Sequence, residues 1–118
     1  MEEFSIGRSS SDGISILNLE GFLDAHTSVE LEKAFEELLN EQKYKIIVNF
    51  EKLSYISSAG LGVFMAYIEN TRQNSGDIKL CGMSDKIYNI FDMLGFPILF
   101  EIYKEQGTAV EKFDNVKS

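Results

Sequence analysis

The sequence predicts an α/β domain with a mixed, mostly parallel β-sheet, and three observations carry this prediction. Segments typical of strands and helices alternate through most of the chain, as they do when crossover helices connect parallel strands. Residues 45–50 have a consecutive aliphatic centre, as a strand has when both its faces are covered. A short turn links the first two strands, so one edge of the sheet is expected to be antiparallel.

The two N-terminal strands are predicted at residues 3–8 and 14–20, with a hairpin turn over residues 9–13. The second strand has apolar side chains on both faces, which predicts cover on each side. These side chains are Ile14 and Ile16 on one face, and Leu17 and Leu19 on the other.

The first helix is predicted around residues 31–39, where apolar residues recur at helical spacing. Thr27 or Ser28 is expected to cap it. Five glutamates around the apolar stripe predict a solvated face, with a docking face for a basic partner as the alternative. They are Glu30, Glu32, Glu36, Glu37 and Glu41.

A second helix is predicted to begin near Ser58 and to end at residues 74–77. Gly60 and Gly62 each lower its helix propensity by about 1 kcal/mol, so close packing against the sheet is expected there. Helical spacing assigns Met65 and Ile68 to the core. It does not decide whether Phe64 and Tyr67 are buried.

The remaining chain predicts strand, helix, strand and helix, which gives the order β-β-α-β-α-β-α-β-α with about four helices. Cys81 is expected to be a small buried apolar residue. The segments are a strand at 78–82, a helix between a Ser84 cap and a Gly95 stop, a strand from Pro97 to about Tyr103, and a helix at 107–113.

Length and composition bound the function. The chain has 118 residues, the size of one domain, so residues 1–118 are taken as a single unit. Its net charge of −8 disfavours nucleic acids and anionic membranes as partners. No membrane span or secretory signal is evident, which favours a cytoplasmic protein. No metal-ligand cluster or complete nucleotide-binding glycine motif is present, so neither a metal nor a cofactor is expected.

The segment SSAGLG at residues 57–62 follows a buried strand and opens a helix. A helix N-terminus presents unbonded N–H groups and a partial positive charge, which stabilise a phosphate placed there. Phosphorylation adds nearly two negative charges, so Ser58 is a predicted switch. The structural alternative is a capped helix with glycines for tight contact.

Three segments carry a family resemblance. Residues 21–27 are similar to the pattern G-x-L/I-D-x-x-T, and residues 53–63 to L-x-x-I/M-D-S-A/S/T-G-L-G-x. Residues 80–95 are similar to the third-helix region of the same family. By these segments the chain resembles the STAS domain family, named for sulphate transporters and anti-sigma-factor antagonists. The resemblance covers nearly the whole chain and implies a STAS-like fold.

The resemblance implies an anti-sigma-factor antagonist that is not an enzyme. Its unphosphorylated form would bind an anti-sigma factor, itself a serine kinase, and so free a sigma factor. Phosphorylation at Ser58 would switch it off, and a serine phosphatase would restore binding. The family usually has Asp before this serine, but here the residue is Ser57, an alternative acceptor. The free protein is expected to be a monomer. The implied partner-binding residues are Asp24, Thr27, Ser57, Ser58, Gly60 and Leu61.

Two other functions stay open. The chain could be a STAS interaction module of another complex, stressosome-like or in lipid transport, without phosphorylation. It could also be a small serine hydrolase that uses Ser58, His26 and Asp24 or Asp92. The nucleophile elbow G-x-S-x-G is absent, and His26 is the only histidine, which argues against a hydrolase. For Asp24 and Thr27, helix capping is the structural alternative.

Overall fold

The computed structural model describes residues 3–114, which form five strands and five helices. The strands are β1 (Ser5–Ser11), β2 (Ile14–Leu23), β3 (Lys45–Ile56), β4 (Asp77–Cys81) and β5 (Ile102–Tyr103). The helices are α1 (Ser28–Asn40), α2 (Ser58–Gln73), α3 (Asp85–Met93), α4 (Phe96–Leu99) and α5 (Gln106–Asp114). The element order follows the prediction except for the additional helix α4.

The five strands form one sheet in the order β1-β2-β3-β4-β5. β1 is antiparallel to β2 and all other neighbours are parallel, which confirms the mixed, mostly parallel sheet. The hairpin turn is shorter than predicted, because β1 continues to Ser11, which pairs with Ile14. Asp12 and Gly13 make the turn with φ of 53° and 81°, the left-handed pair that suits a tight hairpin.

The helices cover the sheet unequally. α1 to α4 pack on the face that presents Leu17 and Leu19, whereas α5 packs on the face that presents Ile14 and Ile16. The predicted division of β2 between two covered faces is therefore confirmed. Cys81 is fully buried beneath α5, as predicted.

Phe64 is the centre of the larger core. It is fully buried, and its ring centroid lies 5.7–6.4 Å from those of four other phenylalanines. Ile68 is buried as predicted, but the core assignment of Met65 is wrong, since its side chain is 45% exposed. One residue corresponds to about 100° around a helix, so Met65 turns away from the sheet when Phe64 faces it. The four rings belong to Phe35, Phe50, Phe91 and Phe100.

The strand predicted to open at Pro97 is wrong. Gly95 adopts a left-handed conformation with φ 79° after α3, and the chain then forms the short helix α4. Proline suits a first helical turn because its fixed φ is helical and that turn needs no N–H donor. The last strand is reduced to β5, two residues at the sheet edge.

The predicted cap of α3 and the predicted solvated glutamates of the first helix are confirmed. The Ser84 hydroxyl accepts a 3.2 Å hydrogen bond from the Ile87 N–H and caps α3. On α1, four of the five predicted glutamates are exposed and Glu32 is half-buried. Within residues 3–114, no helix is long and apolar enough to span a membrane.

Candidate functional site

The candidate site lies where β2 and β3 end side by side. The two strands are parallel neighbours, and Leu23 pairs with Ile56 in their last register position. The Ser57 N–H then donates a 2.9 Å hydrogen bond to the Leu23 carbonyl oxygen. The loop that follows β2 and the helix that follows β3 therefore leave the sheet as neighbours, which brings residues 24–27 beside residues 57–60.

The two serines at the start of α2 have different environments. Ser57 is the N-cap, with extended backbone (φ −101°, ψ 173°) and an Oγ that accepts a 3.4 Å hydrogen bond from the Gly60 N–H. Its carbonyl oxygen accepts the first helical bond, 3.0 Å from the Leu61 N–H. Ser57 is half-buried, whereas Ser58 is exposed at the first helical position. The exposed serine is the one predicted as the phosphorylation site.

Gly60 permits the close approach of α2 to the end of β2. A Cβ atom there would lie 2.8 Å from Leu23 Cγ and 3.1 Å from Ile56 Cγ1, closer than packed carbon atoms come. Gly62 faces open space, so the prediction of tight packing is confirmed for Gly60 and wrong for Gly62. Leu61 is 5% exposed and belongs to the core. Contact of Gly60 or Leu61 with a partner stays a prediction, while packing beneath the site is their observed role.

Asp24 and Thr27 organise the neighbouring loop. Asp24 Oδ1 accepts hydrogen bonds of 3.0 Å each from the N–H groups of His26 and Thr27. The Thr27 Oγ1 accepts from the Asp24 N–H at 2.9 Å and lies 2.9 Å from the Phe22 carbonyl oxygen. The pKa of the Asp24 carboxyl is lowered, and the main cause is the hydrogen bond that it accepts from the Thr27 N–H. This loop therefore presents a negative charge at neutral pH.

The predicted side-chain caps of α1 are wrong. Thr27 holds the N-cap position, but its hydroxyl is used inside the loop and makes no cap bond. The Ser28 hydroxyl donates to the Ala25 carbonyl oxygen at 3.1 Å instead. Helix capping was the structural alternative for Asp24. Its carboxylate does accept main-chain N–H groups, but those of the turn that precedes α1 rather than those of the helix.

The geometry gives a serine hydrolase no support. Among residues 3–114, the hydrogen bonds to the Asp24 carboxylate come from two main-chain N–H groups and the Thr27 hydroxyl, rather than from the His26 ring. A triad carboxylate has to orient the imidazole through its ring nitrogen. In the same part of the chain, no group of three or more His, Cys, Asp and Glu side chains could hold a metal ion.

Two exposed side chains lie before and after the two serines in the chain; Tyr55 was not singled out from the sequence, and Met65 was wrongly assigned to the core. Tyr55, 43% exposed, lies two residues before Ser57, with its ring centroid 5.6 Å from that of Phe22. Met65 is exposed on α2 two turns after Ser58. Strand alternation would place Tyr55 on the same face as the buried Leu53, so it carried no signal for exposure. The β2–β3 register shifts between the pairs Gly21–Leu53 and Phe22–Tyr55, and this irregularity breaks the alternation.

Comparison with known proteins identifies the family. The model of the STAS domain matches residues 8–109. The chain belongs to the STAS domain family. A protein of Staphylococcus aureus (strain NCTC 8325 / PS 47), named anti-sigma-B factor antagonist, is 31% identical over 107 residues, which cover 91% of this chain and 97% of that protein. A Staphylococcus epidermidis protein of the same name is 33% identical over 91 residues, 77% of this chain and 82% of that one. This STAS domain therefore groups with the anti-sigma-factor antagonists.

A solved structure supports the same fold. The anti-sigma factor antagonist from Mycobacterium paratuberculosis superposes with a TM-score of 0.86 at 17% identity, over 93% of each chain. At that identity the likeness concerns the fold alone. It confirms the STAS-like α/β architecture that the sequence predicted.

Proposed function

We propose that this STAS domain is an anti-sigma-factor antagonist controlled by phosphorylation at Ser58. In its unphosphorylated form it binds an anti-sigma factor that is a serine kinase, and the sigma factor is released. The kinase phosphorylates Ser58 and the complex dissociates, until a serine phosphatase removes the phosphate. The domain is a substrate in this cycle and catalyses no reaction. The docking species is a monomer, and the cycle runs in the cytoplasm, where the kinase finds ATP.

One observation carries the proposal: an exposed serine begins α2 beside a second ordered loop. Ser58 is exposed, whereas Ser57 is half-buried and engaged as the cap. A kinase has to draw the acceptor hydroxyl into its own active site, which an exposed helix start allows. The loop of Asp24 and Thr27 adds a second contact region where β2 and β3 end side by side.

The electrostatics explain how a phosphate could end binding without unfolding the domain. A phosphate at the start of α2 interacts favourably with the helix N-terminus, so the fold tolerates it. The same group adds nearly two negative charges to a docking surface that already contains the Asp24 carboxylate. A partner surface complementary to the unphosphorylated site would then meet like charge and a desolvation cost.

The relatives support this assignment. The similar staphylococcal proteins are named anti-sigma-B factor antagonists. A fold neighbour, SpoIIAA, is called an anti-sigma factor antagonist and has been solved in unphosphorylated and phosphorylated forms, with TM-scores of 0.70 and 0.71 at 20% identity. The covered share is 98% of this chain in the first case and 94% in the second.

The experiment incubates the purified protein with ATP and the candidate kinase from the same genome. Trypsin cleaves after Lys52 and after Arg72, so residues 53–72 are released as one peptide. Mass spectrometry of this peptide locates the phosphate. We expect phosphate on Ser58 together with loss of kinase binding. Phosphate on Ser57 would keep the mechanism and move the site.

The Ser58→Ala variant is the matched test and Ser84→Ala is its control, because Ser84 is also an exposed serine at a helix start. We expect Ser58→Ala to stay bound to the kinase in the presence of ATP, while Ser84→Ala dissociates like the parent. Tight binding without phosphate in the parent would instead mean a constitutive antagonist. If the parent is neither phosphorylated nor bound by the kinase, a STAS module of another complex would be favoured.

A further inference from the structure

A second surface, which extends from Met65 on α2 to α4, is unusually apolar. Five exposed aliphatic or methionine side chains on α2, at the end of α3 and on α4 form what we call the apolar corner. They are Met65 (45% exposed), Met93 (81%), Leu94 (58%), Ile98 (89%) and Leu99 (42%). Single exposed apolar residues are ordinary, but a group of this size marks an interaction surface.

The apolar corner is contiguous. Four of its members fall within seven consecutive residues, which form the end of α3, the turn at Gly95 and α4. Met65 joins them along α2, because residues 65 and 72 lie two turns apart on one flank of that helix. Arg72, at the end of this flank, donates a hydrogen bond to the Leu99 carbonyl oxygen and lies 5.9 Å from the centroid of the Phe100 ring. That flank of α2 therefore faces α4.

Packing within the domain does not require these side chains. The core beneath α3 and α4 is formed by Phe91, Phe96 and Phe100, whose rings pack against one another and against Phe64. Ile98 contributes little to that core at 89% exposure. Exposed apolar side chains of this kind favour association, since covering them removes apolar area from water.

We infer that the apolar corner is the contact between two copies of this chain. Exposed charges of both signs lie on the same two helices: Glu69 on α2, and Lys86 and Asp92 on α3. Arg72 on α2 is already paired with Asp77, at 2.9 Å between Nε and Oδ1. Two copies that each have a net charge of −8 repel one another unless they meet where the local charge is balanced. Helix α1 offers less balance, because it carries four glutamates and one lysine.

The size of the apolar corner fits a weak dimer. Five large side chains with these exposed fractions amount to about 500 Å² of apolar surface, within the range of functional patches. Two such surfaces bury about 1,000 Å² in total, the lower limit for a specific interface. An interface at this lower limit is typical of weak association, so a monomer remains available for docking in dilute solution.

The test is sedimentation equilibrium of the purified chain over about 5 to 500 µM, a range that detects weak self-association. We expect the average mass to rise from that of the monomer towards twice that value. Ile98→Lys should weaken association at least tenfold, and the side chain's exposure means that folding is unaffected. Val29→Lys is the control, because Val29 is an exposed aliphatic residue (53%) on α1, outside the apolar corner.

A parent protein that stays monomeric at the highest concentration would overturn the proposal. Equal association of the Ile98→Lys and Val29→Lys variants would overturn it as well. A third measurement compares the binding of the Ile98→Lys variant and of the parent to the candidate kinase. If Ile98→Lys loses that binding while the parent remains a monomer, the apolar corner belongs to the kinase contact and not to a dimer.

Discussion

The Leu23 carbonyl oxygen accepts a 2.9 Å hydrogen bond from the Ser57 N–H, and this bond ties the start of α2 to the end of β2. Gly60 completes the junction by permitting α2 to approach Leu23 closely. The loop of Asp24 and Thr27 and the proposed phosphoacceptor thus share one rigid support. A change that loosens this junction should disturb both parts of the site together.

The Ser58→Glu variant should separate charge from folding. The added carboxylate lies in the first turn of α2, where the helix dipole makes it neutral or stabilising by about 0.3–1 kcal/mol. Affinity for the anti-sigma kinase should fall at least tenfold, as calorimetric titration would measure. Gln73→Glu adds the same charge at the other end of α2 and should leave the affinity unchanged. A variant that binds like the parent would mean that Ser58 lies outside the docking surface.

Changes at Ser57 should separate its capping role from kinase recognition. Ser57→Ala removes the acceptor of the Gly60 N–H and should cost about 1 kcal/mol in urea denaturation. Ser57→Asp keeps a capping acceptor and restores the carboxylate usual in the family, so phosphorylation of Ser58 should become faster with little change in stability. Ser84→Ala is the control, since it removes the α3 cap and should lower stability without changing the rate.

The two glycines of α2 should respond oppositely to alanine. Gly60→Ala forces a methyl group to within 2.8 Å of Leu23 Cγ, and we expect a net loss of about 1–2 kcal/mol despite the better helix propensity. Gly62→Ala enters open space and should gain about 0.5–1 kcal/mol. Urea denaturation of both variants measures the difference. Equal effects would contradict the close contact between α2 and β2.

Acid should weaken the link between β1 and α1. Hydrogen bonds from Arg8, and then from Lys43, lower the pKa of Glu41 from 4.5 to about 2. A lowered folded-state pKa means that this contribution is present above the unfolded value and is lost as the pH falls from 4.5 towards 2. Glu41→Gln should therefore lower the urea midpoint slightly at pH 7 and leave it unchanged near pH 2. High salt should shrink the difference at pH 7, because the pair is exposed.

Sequence reasoning succeeded where one physical pattern has one structural meaning. The aliphatic run from Ile46 to Val48 is compatible with little besides a strand covered on both faces, and it is fully buried. The SSAGLG segment likewise combined cap residues with a glycine at the position where the backbone approaches the sheet. These two patterns predicted the parallel sheet and the start of α2.

The errors arose where one residue property suits two structures. Proline lacks an N–H, which an edge strand and a first helical turn both tolerate, so Pro97 alone could not distinguish them. Phe64 and Met65 both fit helical spacing after Leu61, and only the phenylalanine cluster around Phe64 decides which is buried. The Thr27 hydroxyl bonds within its loop and approaches the Phe22 carbonyl oxygen, an arrangement set by the path of that loop.

The burial of Cys81 has a practical consequence for following the proposed switch in solution. Burial raises the pKa of its thiol to about 11, so almost no reactive thiolate forms at neutral pH. It is also the only cysteine in the chain. A second cysteine introduced at an exposed position, for instance Ala66→Cys on α2, would react selectively with a maleimide dye. Because Cys81 would take up almost no dye, fluorescence measurements of docking and release would report on the introduced cysteine alone.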